Sequence, residues 1–285
     1  MQDKTVNVNS PTSSGSRVKQ SVMRSGGPRV GLIDIETAPL DAYVWGLFDQ
    51  NVGLNQIKHE WALLSYCYKP LGGNKKSIVY SDNRGAADPR DDSRLVNELW
   101  QIMHENDVLI AQNGKRFDKR KIMARLILSG KTPPSPVKIE DTMLMARQVA
   151  AFTSNKLEWL STYLSKVKKS SHREFPGFEL WSECLKGNPR AWNAMRKYNI
   201  PDVLSMEEVY LKLRPWVSGH TNVAVYTDDE HIACPVCGSE HVHQDGYSYT
   251  QVGKYNRYQC DNCGAWSRDR YTLNSIAKRK SLLTN

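Results

Sequence analysis

Apolar and polar positions along this chain fall into two rhythms. "RVGLIDIET" (29–37) is a compact apolar run ending in acids, the pattern of a buried central strand. "WALLSYCYKP" predicts a second strand, "GGNKK" a turn and "SIVYSD" a third strand, so the sheet opens as a meander. From residue 93 the period lengthens. In "SRLVNELWQIMHEND", Leu95, Leu99, Ile102 and Met103 share one helical face, with Ser93 in the N-cap position. "VLIAQNG" is a short apolar strand, and "FDKRKIMARLILSG" a helix that Gly130 ends. "VKIEDTMLMARQV" reads as a strand running into a helix, and "NKLEWLSTYLSKV" as a helix. "PRAWNAMRKY" and "DVLSMEEVYLKLRPW" complete the helical part. Strands first, then strand alternating with helix, predict an α/β fold around a mixed sheet.

"RKYNIPDVLSMEEVY" (196–210) interrupts its own rhythm. Tyr198 and Asp202 are four apart and would stack on one face of a helix, yet Pro201 lies between them. The expected arrangement is a short helix ending near Tyr198, a break at Asn199 and Ile200, and a new helix from Pro201. A proline is tolerated in such a first turn. One kinked helix is the alternative.

Residues 1–28 are polar and rich in Ser and Asn, and are expected to be disordered. They lack the apolar centre of a signal peptide, and no apolar run reaches the length of a membrane span. A cytoplasmic protein, in a bacterial or viral-host setting, is therefore expected. Residues 215–233 show little helical pattern, and beyond them the segments become short, polar and aromatic. The expected division is 29–227 and 228–285. The net charge of +9 suits a polyanion partner, and its excess gathers in "GKRFDKRKIMAR" within the first of these regions.

Asp34 and Glu36 alternate with Ile33, Ile35 and Thr37, so both carboxylates point to one face of the first strand. Two acids in an apolar strand repel and lose hydration unless a cation sits between them, or unless each caps or pairs locally. Asp118 opens a helix after another strand, with Phe117 expected to pack beneath it. Asp202, with Tyr198 one turn earlier, is the fourth acid. Four carboxylates are what two hard divalent cations require. Two such ions about 4 Å apart activate a water and stabilise the leaving oxygen of a phosphodiester.

"DIET", "NGKRFD" and "YNIPD" resemble the three motifs of the DEDD superfamily of 3′-to-5′ exonucleases, built on a ribonuclease-H-like mixed sheet flanked by helices. A tyrosine four before the last acid is similar to the Tyr subclass, and "EDTMLMAR" and "KLEWLSTYL" resemble its intervening segments. The resemblance covers about residues 29–215. It implies that Asp34 bridges two Mg²⁺ or Mn²⁺ ions, Glu36 and Asp202 complete the site on the nucleophile's side, and Asp118 holds the second ion, through water. Tyr198 would orient the attacking water, since a tyrosine with a pKa near 10 is a poor base at neutral pH. Asn113 would hydrogen-bond near the scissile nucleotide. In the aromatic insertion after the first strand, Trp45 is a candidate to stack on a terminal base.

"CPVCG" and "CDNCG" put Cys234, Cys237, Cys260 and Cys263 in two knuckles, the pattern of one structural, tetrahedral Zn²⁺. A redox reading needs only one such pair. Cys67 and Cys184 stand alone and are expected to be buried and inert. "YSYTQVGKYNRYQC" alternates as two ribbon strands, and "CDNCGAWSRDR" looks like the second knuckle of zinc ribbons in nucleic-acid enzymes. Its aromatic and basic residues suit a single strand, or else cover the ribbon's own core or a protein partner.

Together these observations predict a metal-dependent 3′-to-5′ exonuclease acting on single-stranded DNA, with a zinc ribbon that aids nucleic-acid binding. The expected partner is nucleic acid, DNA before RNA, together with replication or repair proteins and no membrane. A nucleic-acid-binding scaffold with an inactive fold, and an endonuclease or ribonuclease on the same fold, are the alternatives.

Overall fold

A computed structural model describes residues 26–167 and 174–284. Residues 1–25, the bulk of the segment expected to be disordered, lie outside the described residues.

The long apolar runs build a five-stranded sheet. Its strands are β1 (Val30–Thr37), β4 (Leu63–Pro70), β5 (Val79–Asp82), β6 (Val108–Ala111) and β7 (Lys138–Asp141), in the order β5-β4-β1-β6-β7. The meander pairs β1 with β4 and β4 with β5 antiparallel, while β6 and β7 join parallel to β1. Two further short strands, β2 (Asp41–Ala42) and β3 (Ile57–His59), form a separate pair within the insertion after β1.

Alternation sorts the core. Ile33 and Ile35 of β1, with Tyr66 and Tyr68 of β4, face α1 (Ser93–Glu105) and α2 (Asp118–Leu128). Leu32, Cys67 and Ile110 face the other way, onto α3 (Thr142–Val149), α4 (Leu157–Leu164) and α6 (Pro189–Leu213). A third cluster joins Leu64 and Ala38 to α5 (Glu179–Leu185) and to Trp192 and Met195 of α6. The result is a mixed sheet between two helical layers.

Three expectations change. Ser93 does not cap α1. The preceding Asp92 occupies that position, and its carboxylate is taken by Arg125 of α2, at 2.6 Å to each oxygen, and by the Leu63 N–H at 2.9 Å. Two helices were the first expectation around Pro201 and one helix the alternative; α6 is the single helix, continuous for 25 residues with the proline inside it. A proline within a helix costs about 3 kcal/mol, which tertiary contact outweighs here. Asn199, Asp202, Val203 and Met206 are all buried on the sheet side. Deeper along α6, the buried Lys69 ammonium reaches both Glu207 oxygens at 2.7 Å, and the Gly72 N–H adds a third bond at 2.8 Å. That pair ties α6 to β4.

The third change is in the ribbon, which has three strands rather than two: β8 (Val242–Tyr249), β9 (Lys254–Cys260) and β10 (Trp266–Arg268), followed by α7 (Ile276–Ser281). The knuckle after Cys260 turns the chain back, so that Trp266, Ser267 and Arg268 pair with β9. Among the described residues, no helix is long and apolar enough to cross a membrane.

Candidate active site and zinc ribbon

β1 pairs with β6 only over Val30–Leu32, yet it continues to Thr37. Its C-terminal half therefore has an open edge, and the acids gather there. Asp34 and Glu36 lie opposite in pleat to Ile33 and Ile35, toward α5 and α6. The Asn199 amide donates to the Asp34 carboxylate, and the Trp181 indole N–H donates to Glu36 at 3.0 Å. Trp181 meets Tyr198 edge-on, with ring centroids 6.2 Å apart. One residue of α5 thus touches both a β1 acid and the α6 tyrosine.

Because α6 is unbroken, Tyr198 and Asp202 lie one turn apart on one helix. Asp202 is only 4 % exposed. Cys67 stands opposite Asp34 on β4. Burial pushes its thiol pKa up, and the neighbouring Asp34 and Asp202 carboxylates push it further. Asn199, which holds Asp34, and Asp202 lie three residues apart on α6 and are both buried. Cys67 and Cys184 are free and buried, and burial also raises the Cys184 thiol, to about 12.

Asp118 arrives from the other edge. β6 ends at Ala111, and the chain turns through Asn113, whose φ of 60° is left-handed and suits an asparagine. The Asn113 carbonyl accepts from the N–H groups of Arg116 and Phe117, at 3.1 and 2.9 Å. Gly114 is required at this bend, since a Cβ there would fall 2.3 Å from that of Ala111. The buried Asp141 carboxylate fastens the turn: it accepts from Asn113 and Lys115 N–H at 3.0 and 3.1 Å while capping α3 through Met143 and Leu144.

So held, Asp118 accepts the N–H of Ile35, the residue between Asp34 and Glu36, at 3.2 Å. It replaces the ladder partner that β6 no longer supplies. Burial lifts its pKa to about 7, the Ile35 N–H and its own backbone N–H oppose that, and the Asp141 charge adds to it. Phe117 is 37 % exposed, with the Lys121 ammonium 6.0 Å from its ring centre. Lys115, Arg116 and Arg120 are exposed around it, which brings the basic run of the sequence beside the buried acid.

The structure thus brings Asp34, Glu36, Asp118, Tyr198 and Asp202 to one end of β1. Asn113 lies on the turn leading into Asp118. Trp45 is 97 % exposed in the β2–β3 insertion, with Leu47 and Phe48 also exposed. Trp181, Asn199 and Asp141 were missed in the sequence. Asp141 carried a readable signal, an acid at a strand-to-helix junction, which is a cap position.

The donor set at β1 is entirely carboxylate oxygen, which fits a hard divalent cation such as Mg²⁺ or Mn²⁺. Among the described residues, the one group of three or more Cys, His, Asp or Glu whose ligand atoms all lie within 4.8 Å is Cys234, Cys237, Cys260 and Cys263. The carboxylates stand wider apart. Four sulfurs about 2.3 Å from one tetrahedral ion lie about 3.8 Å from each other; Cys234–Cys263 and Cys237–Cys260 are 3.7 and 3.6 Å apart. Gly238 and Gly264 follow the knuckles with φ of 74° and 79°, and their N–H groups bond back to Cys234 and Cys260 carbonyls. The quartet fits Zn²⁺.

A family model described as RNase_H superfamily matches residues 51–214, more than half of the chain, and the chain belongs to that superfamily. The matched stretch contains Asp118, Tyr198 and Asp202 and begins after β1. Among solved structures, a family B DNA polymerase from the hyperthermophilic archaeon Pyrobaculum calidifontis is similar over 66 % of this chain, at 16 % identity and a TM-score of 0.47. The similarity spans 25 % of that polymerase chain. No curated protein sequence matches.

Proposed function

We propose that this chain is a 3′-to-5′ exonuclease that hydrolyses phosphodiester bonds with two divalent cations, acting first on single-stranded DNA. Residues 29–227 form its catalytic domain and 228–285 its zinc ribbon. The observation that carries this reading is the convergence on one half-strand of acids from three elements: Asp34 and Glu36 of β1, Asp118 through the Ile35 N–H, and Asp202, buried on α6 three residues after the Asn199 that holds Asp34. Two Mg²⁺ or Mn²⁺ ions held by these carboxylates would supply an activated water and stabilise the leaving oxygen. The protein's own part is to hold and aim. Asn199 orients Asp34, Trp181 orients Glu36, and the Asp141-fastened turn delivers Asp118. Tyr198, set against Trp181, positions the attacking water by its hydroxyl. Asn113 and Trp45 are assigned to the substrate's terminal nucleotides.

The test is a digestion series on single-stranded DNA, duplex DNA and RNA with Mg²⁺ or Mn²⁺, comparing the parent with Asp34→Ala. The reading expects nucleotide release by the parent, fastest on single-stranded DNA, and a loss of at least about 10³-fold in the variant. An Asp34→Ala protein that digests like its parent would refute the metal assignment. Binding without cleavage by the parent would make it a scaffold.

A further inference from the structure

The geometry points to a strand-binding face on the zinc ribbon. We propose that Tyr255, Arg257, Trp266 and Arg268 grip a single-stranded nucleic acid, stacking its bases and pairing its phosphates. This rests on the exonuclease reading only in the choice of ligand.

Register places these four side chains together. Arg257 of β9 stands directly opposite Arg268 of β10, and Trp266 opposite Gln259, so Tyr255, Arg257, Trp266 and Arg268 share one face. Each arginine then crosses diagonally onto the other strand's ring. The Arg257 guanidinium lies 4.6 Å from the Trp266 ring centre, and that of Arg268 lies 4.0 Å from Tyr255. Like charges directly opposite on a sheet repel, and the aromatic faces are what hold them side by side.

The parts are fixed before any ligand arrives. Arg257 donates through Nε to the Asp245 carbonyl at 2.8 Å, with the Asp245 carboxylate at 3.7 Å, and Arg268 donates to the Asp269 carbonyl at 3.0 Å. Among the described residues, no carboxylate comes within 4.0 Å of Arg268. Behind Tyr255 lies Gly253, where a Cβ would meet the ring at 2.4 Å. Glycine is what lets the ring lie against the backbone.

These rings are not the ribbon's core. Its buried cluster is Cys234, Val236, Cys260 and Ala265, joined by Cys237, Val242 and Cys263, without an aromatic residue. Trp266 is 47 % exposed. Charge also segregates: from Lys254 to the end the chain has seven basic and two acidic residues. Stacking is tolerant of sequence, because every base has a face, and guanidinium forks match phosphate oxygens. On the opposite face, Lys254 over Tyr247 is a single such pair.

The test is fluorescence anisotropy with an end-labelled single-stranded DNA oligonucleotide and the full zinc-loaded chain, without added Mg²⁺ or Mn²⁺ so that no strand is consumed. The variants are Arg257→Gln/Arg268→Gln and Trp266→Leu, each checked for one zinc per chain. The double arginine variant should bind at least about tenfold more weakly, with the slope of log K against log salt reduced by about 1.4, two contacts at about 0.7 each. Trp266→Leu should weaken binding about tenfold and keep the slope. Zinc-replete variants with parental affinity and slope overturn the proposal and leave the face for a protein partner. That result leaves the exonuclease reading standing, because cleavage with Mg²⁺ is scored separately on the same proteins.

Discussion

The indole of Trp181 donates to Glu36 at 3.0 Å while its ring meets the edge of Tyr198 at 6.2 Å. One side chain of α5 therefore sets two residues of the site, a carboxylate on β1 and a hydroxyl-bearing ring on α6. Trp181→Phe keeps an aromatic ring on α5 and removes the N–H, together with part of the packed ring. A hydrogen bond to a charged group contributes about 1.5–3 kcal/mol, so kcat should fall about tenfold or more with KM near its parental value. Steady-state kinetics on a labelled strand decide it. A loss confined to KM would mean that Trp181 binds substrate instead of aiming Glu36.

Pro201 sits inside an unbroken α6, between Tyr198 and Asp202. Pro201→Ala restores a backbone donor and removes the ring's crowding of the turn before it. Thermal unfolding should therefore shift upward, while nuclease activity drops because the turn linking Tyr198 to Asp202 relaxes toward ideal geometry. Lower stability together with full activity would show that the proline stabilises the chain and does not serve the site.

Asp118 is a buried acid whose pKa is raised to about 7, from an ordinary value of 3.8. A raised pKa means that the folded state binds the proton more tightly than the unfolded chain. Its contribution is thus present below about pH 4 and is lost as pH climbs through about 7. Without added divalent cation, Asp118→Asn should raise the melting temperature at pH 8 by a few degrees, at about 2–4 °C per kcal/mol, and by much less at pH 5. An equal gain at both pH values would show that the charge on Asp118 is not what costs stability.

The ribbon should carry one Zn²⁺ per chain. Cys260→Ser removes one of four thiolates and should abolish stoichiometric zinc, leave 228–285 open to protease, and keep 29–227 folded. Zinc analysis with limited proteolysis reads all three. A Cys260→Ser chain that retains one tightly held zinc would refute the four-thiolate site.

The fold was legible where periodicity was strong. The alternation of "GLIDIET" correctly predicted β1 and the shared face of Asp34 and Glu36, because a strand's period of two leaves a side chain no other choice. The mixed α/β sheet followed from strands preceding the strand–helix alternation, and its ribonuclease-H-like kind from the resemblance carried by "DIET", "NGKRFD" and "YNIPD". What escaped depended on long-range packing. The proline rule predicted a break at Asn199, but burial of Asn199 and Asp202 against β1 and β4 overrode a local cost. Trp181 lies 145 positions from Glu36, and nothing in "ELWSECL" says which acid its N–H will find. Ser93 looked like a cap because the pull of Arg125 on Asp92 is invisible in sequence. β10 was missed since three residues carry too little alternation to read.

The most direct test of the central claim is the pattern of cleavage on paired substrates with Mg²⁺ or Mn²⁺. One is a linear single-stranded DNA labelled at its 5′ end, and the other is the same sequence closed into a circle. A 3′-to-5′ exonuclease using Asp34, Glu36, Asp118 and Asp202 should shorten the linear strand in single-nucleotide steps from its 3′ end. It should leave the circle intact and lose both cation dependence and activity in Asp202→Asn. Opening of the circle, or internal fragments from the linear strand at the same rate, would contradict it.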